Sequence, residues 1–149
     1  GYSFFYNFYF KNKYYRLTEE QQLADRERGL WATDSTIYEK WGREGIERAV
    51  EHMDQLYKLC QKHQVKLTLA IHPWPLHLEK RALHNQQVET WEEFARERQV
   101  RLLNLFPVFI NDSAEKNIEK YFISGDIHWN EKGHKKIADI IINEGFLVE

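Results

Sequence analysis

Two short apolar runs, "LTLAI" (residues 67–71) and "LLNLF" (residues 102–106), each follow a stretch with helical periodicity, and this alternation constrains the fold most. From Arg43 to Gln64, the residues Ile46, Ala49, Val50, Met53, Leu56, Tyr57 and Cys60 recur at the spacing of one helix face. The run inside "VKLTLAIHPWP" is β-branched and leucine-rich and stops at two prolines, which predicts a buried strand. Val88, Trp91 and Ala95 mark a second helix ending near Gln99, and "VRLLNLFPVF" predicts a second strand closed by Pro107. A small helix over 114–121 follows, then a last one after Asn130 with Ile137, Ile140 and Ile141 on one face. "GLWATDSTIYEKWGREG" reads as loop punctuated by Gly29, Gly42 and Gly45, and "TEEQQLADRER" as a polar helix capped by Thr18.

Helix–strand–helix–strand–helix order implies an α/β layer with a parallel sheet and right-handed crossovers. Two parallel strands make a poor sheet alone, because such sheets are normally larger and covered on both faces. The expectation is therefore the C-terminal part of a doubly wound, flavodoxin-like domain with helices on both faces. Residues 1–149 would form one incomplete domain. The chain begins at glycine, and "GYSFFYNFYF" holds seven aromatics in ten residues. Such a segment either packs on its own core or covers structure outside this sequence, since soluble monomers avoid apolar patches of that size.

Charge is nearly balanced, with 21 basic and 23 acidic residues and no like-charge block, so no nucleic-acid partner is expected. Cys60 is the only cysteine, which rules out a disulfide within one chain; its place on the helix face is structural. No run of 18 apolar residues occurs, so no membrane-spanning helix is expected. Localisation stays open.

The densest polar chemistry lies in "YFISGDIHWNEKGHKKIADIII", from Tyr121 to Ile142. Asn130 is a good N-cap, with Gly133 and His134 in the first turn of the helix that follows. An acid two residues before a histidine can accept a hydrogen bond from the ring, fixing its tautomer and freeing the other nitrogen as a base. Asp126 and His128 have that spacing, although such a tripeptide also arises by chance, with Asp126 merely capping the turn.

"GDIHWNEKGHKKIADII" resembles the last block of the SGNH (GDSL-type) hydrolase superfamily, and weaker similarity runs from about Trp31 through "LTLAIHPWP" and "NLFPVF" to Ile142. The similarity is greatest to bacterial SGNH-type proteins carrying a "PWP" and a "GDxHWNxxGH" block, and it admits an extracytoplasmic location. The resemblance implies a Ser-His-Asp triad in which Asp126 orients and His128 acts as general base, then acid. Trp129 and Asn130 would shape the loop at the substrate. It implies an ester hydrolase or O-acyltransferase acting on a small-molecule or carbohydrate ester, such as an O-acetylated sugar, and needing no cofactor or metal. The spacing here is D-x-H followed by Trp, where the commoner family pattern is D-x-x-H followed by Pro. The family's "GDS" nucleophile block is absent, and "ATDSTIY" around Ser35 lacks the preceding strand and glycine. The serine and the oxyanion donors would then lie outside this chain, on a missing N-terminal half of the domain, or the chain would associate with itself.

Other readings compete. His128 and His134, with Asp126, could form a metal site, although the spacing is wider than zinc ligands usually show. "IHPWPLH", with His72, Trp74 and His77, lies at a strand's C-terminal edge, where Trp74 either stacks on a sugar or acyl chain or plugs the gap between its prolines. Trp31, Trp41 and Trp91 read as core or loop anchors, and His52, His63 and His84 as solvated. A relative that keeps the loop and Trp74 without catalysis would be a glycan-binding module.

Overall fold

The structure is a computed structural model and describes residues 28–110 and 113–145. The aromatic first segment and, but for Arg28, the expected helix of residues 18–28 lie outside the described residues. Where a loop was expected, the chain is already helical. Asp34 accepts from the Thr36 and Ile37 amides at 2.9 and 3.1 Å and caps a helical turn, Ser35–Ile37. A wide π turn, Tyr38–Gly42, then runs into α1 (Arg43–Lys62). Gly42 does not break this run. A Cβ there would lie 2.9 Å from the Trp31 Cβ, so glycine is what lets Trp31 pack against the helix.

After α1 come β1 (Thr68–Ile71), α2 (Pro75–Glu79), α3 (Gln86–Arg98), β2 (Arg101–Asn104), α4 (Phe106–Ile110), α5 (Ala114–Tyr121) and α6 (Glu131–Asn143). Asn85 caps α3 by accepting from Gln87 and Val88, and Gln99 closes it at φ +55°. The second strand is shorter than expected. Asn104 Oδ1 accepts from the Phe106 amide and starts α4, whose second residue, Pro107, has no N–H to satisfy there.

β1 and β2 pair in parallel, with Leu69 opposite Leu102 and Ile71 opposite Asn104 on one face. Asn104 donates from that face to Glu92 of α3 at 3.0 Å. On the other face Arg101 donates to the Gly145 and Glu144 carbonyls at the end of α6, at 2.8 and 2.5 Å. The described residues thus form an α/β arrangement whose sheet, among them, has two strands. Thr68 and Ala70 of β1 are exposed. The core gathers at the C-terminal end of the sheet around Leu78, Phe106 and Phe109, with Tyr121, Phe122 and Trp129 packed on them. Among the described residues no helix is long and apolar enough to cross a membrane.

His77, in the "IHPWPLH" stretch after β1, lies in the core. It is 2 % exposed, with its ring 5.4 Å from that of Phe106. Nδ1 accepts from the Trp74 amide at 3.0 Å, so the neutral ring carries its proton on Nε2, whose polar neighbour is the Gly29 backbone. Burial pushes its pKa down to about 4, and the Gly29 backbone only partly offsets this. In the unfolded chain the ring titrates near 6.5, so the unfolded state holds the extra proton between about 6.5 and 4. Stability should therefore be complete above that window and fall by an amount on the order of 3 kcal/mol as the pH drops through it. Urea melts of the parent and of His77→Phe across pH 7 to 4 test this: the parent's extra loss should disappear in the variant.

Gly133, in the first turn of α6, sits against the end of α5 and the Trp129 side chain. A Cβ there would lie 2.4 Å from the Tyr121 carbonyl oxygen and 3.0 Å from the Trp129 side chain. Neither can yield without moving backbone or core. Gly133→Ala should cost about 2 kcal/mol or more in a urea melt, despite alanine's better helix propensity, whereas Gly45→Ala, with open space around it, should not destabilise.

Candidate active site

Asp126 and His128 sit on a loop closed at its base by an antiparallel bridge between Phe122 and Trp129. Within it the Ile123 amide donates to the His128 carbonyl and the Asp126 amide to the Ile123 carbonyl, both at 3.0 Å. Gly125, third in that second turn, has φ +73°, which only glycine adopts at little cost. The loop's far end is held by Asn130. Its Oδ1 accepts from the Gly133 amide, and its Nδ2 donates to the Lys120 and Phe122 carbonyls, each at 3.0 Å.

The two side chains meet. Asp126 Oδ1 lies 2.6 Å from His128 Nδ1 and also accepts from the His128 amide at 3.1 Å. An ionised Asp126 makes Nδ1 the protonated nitrogen, which leaves the Nε2 lone pair free. The His128 side chain is 74 % exposed and that of Asp126 44 %, so the free nitrogen is open to solvent. The hydrogen bond from His128, with the loop amides, holds the Asp126 carboxyl below the usual range against the opposing effect of burial.

Trp129 is 8 % exposed, its ring 4.0 Å from Phe122 and 4.4 Å from Phe109, centroid to centroid. With the Asn130 carboxamide committed to backbone, these two residues build the loop from below. His72, the first residue past β1, lies with its ring 5.4 Å from Trp129, which puts the loop at the C-terminal edge of that strand. Burial lowers the pKa of His72, the Pro73 carbonyl opposes the shift, and the nearby His128 adds slightly to it. Its closeness to His128 was not readable from the sequence, because tertiary packing of Trp129 creates it.

Trp74 and Asp126 line one hollow of about 600 Å³, together with Leu30, Leu76, Ile118 and Ile127. A second hollow of about 680 Å³ holds Ser35, Tyr38 and His84 and shares no residue with the first, so Ser35 is not at the dyad. Ser124 lies exposed in the turn beside Gly125. Among the described residues no group of three or more His, Cys, Asp or Glu side chains is placed to hold a metal ion, so His128, His134 and Asp126 do not converge as ligands. Comparison with protein-family models, curated proteins and solved structures found no match.

The lowered carboxyl has a direct consequence. By NMR titration Asp126 should protonate below the ordinary aspartate value, and in His128→Ala its midpoint should rise, since the largest cause of the shift has gone. An unchanged midpoint would show that the loop amides alone hold it.

Proposed function

We propose that this chain supplies the acid–base half of an SGNH-type ester hydrolase or O-acyltransferase. The nucleophilic serine would come from a segment outside this sequence, within a doubly wound sheet that extends beyond β1 and β2. The observation that carries the reading is the 2.6 Å contact between Asp126 and His128, with Nε2 left open at the C-terminal edge of β1. Ligand sites of open α/β sheets belong at that edge.

In this reading His128 Nε2 takes the proton of the serine hydroxyl as it attacks the ester carbonyl, and Asp126 stabilises the imidazolium. The proton then passes to the leaving alcohol. An incoming water or acceptor hydroxyl repeats the sequence on the acyl-enzyme. An exposed dyad gains little electrostatically, so the segment bringing the serine must also exclude water for the pair to work at full strength.

Trp74 on the wall of a hollow favours a second reading, a glycan-binding module without catalysis. Hydrolysis of p-nitrophenyl acetate separates the two. The 149-residue chain should show only background, and a longer chain carrying an upstream strand with Gly-Asp-Ser should be active. His128→Ala in the longer chain should lose at least about 10³-fold, because base, acid and nucleophile act as a unit. An inert longer chain that still binds oligosaccharide would favour the module. Activity in the short chain that His128→Ala removes would move the nucleophile to Ser35 or Ser124.

A further inference from the structure

The hollow beside Asp126 is much larger than an acetyl group. Leu30, Leu76, Ile118 and Ile127 line it with Trp74, and Ile127 keeps 41 % of its surface exposed. Gly29 lets the Leu30 segment close one side, since a Cβ at Gly29 would lie 3.0 Å from Leu76 and 3.2 Å from Trp74. At about 600 Å³ the space falls within the range of small-molecule sites, and an acetyl group would leave most of it to water. Beyond two carboxylates, the side chains of these walls offer a sugar few hydrogen-bonding partners. The polar side chains of the lining are two carboxylates, Glu79 and Asp126, and Asp126 belongs to both the hollow and the dyad.

We propose that this hollow holds the acyl chain of a neutral ester several carbons longer than acetyl, and that Glu79 and Asp126 repel the same chain once it is released as an acid. The assignment rests on the ester-cleaving reading of the dyad. Each methylene taken from water adds about a fourfold gain in affinity when fully buried, so chain length is the sensitive variable. A carboxylate entering beside two like charges loses part of that gain, which would drive product out while substrate of equal length stays.

Amide chemical-shift titrations of the 149-residue chain test the assignment with methyl octanoate, methyl acetate, octanoate and octylammonium as probes at neutral pH. Methyl octanoate should move the Trp74 indole, Leu76, Ile118 and Ile127 signals, binding at least about tenfold more tightly than methyl acetate. Octanoate should bind at least about tenfold more weakly than its methyl ester, with Glu79→Gln narrowing the gap. Ile118→Arg should abolish binding, and Ile127→Asp, at an exposed position that folding tolerates, should weaken it at least about tenfold. Equal binding of both methyl esters, octanoate binding as tightly as its ester, or octylammonium binding more tightly than either would overturn the proposal. Binding as expected in a longer chain that turns over no ester would sink the catalytic reading while upholding the hollow. Turnover of p-nitrophenyl acetate without methyl octanoate binding would do the reverse.

Discussion

The carboxamide of Asn130 spans three backbone groups from three successive pieces of chain: the end of α5, the start of the loop and the first turn of α6. Everything placed between those points depends on it. Buried amides and carbonyls left without partners are costly, and here one side chain serves an acceptor pair and a donor at once. With the ends fixed, Trp129 drops into the aromatic core and His128, one residue earlier, is turned outward. The alternation of neighbouring side chains across a strand-like segment thus converts a core contact into an exposed base.

That division explains how such a short motif can be both rigid and accessible. The ring of His128 gains its order from one carboxylate and from the loop amides, while its surroundings stay wet. Trp129 is fixed from three sides by Phe109, Phe122 and His72. Aromatic pairs in this arrangement add modestly to their burial, so the platform beneath the dyad is firmer than the dyad itself.

Much of the layer order was legible because the signals were periodic. The helix faces around Val50, Val88 and Ile137 and the two apolar runs each carry their own pattern, and the Asp126–His128 contact is local enough to be read from three residues. The misreadings share a cause. Gly42 reads as a breaker until Trp31 is seen lying against it, and Pro107 reads as a strand end until Asn104 is seen starting a helix at Phe106, one residue before it. His77 and His72 are alike in sequence and opposite in place: one is sealed in the core, the other lies against Trp129 beside the dyad. Only packing between distant elements decides that. The hollow lined by Leu30, Trp74, Ile118 and Asp126 is assembled from four separate stretches, and no local pattern could have announced it.

The parallel register of β1 and β2 also sets an order of assembly. No strand-to-strand bond can form until α2 and α3 have been traversed, so the sheet must meet the entropy of closing that long excursion before it gains anything. α1 and α3 need only local turns to begin, and the loop holding Asp126 and His128 closes over a handful of residues. Asp126 and His128 can therefore find each other early, whereas their position relative to His72 waits for the slowest contacts in the chain.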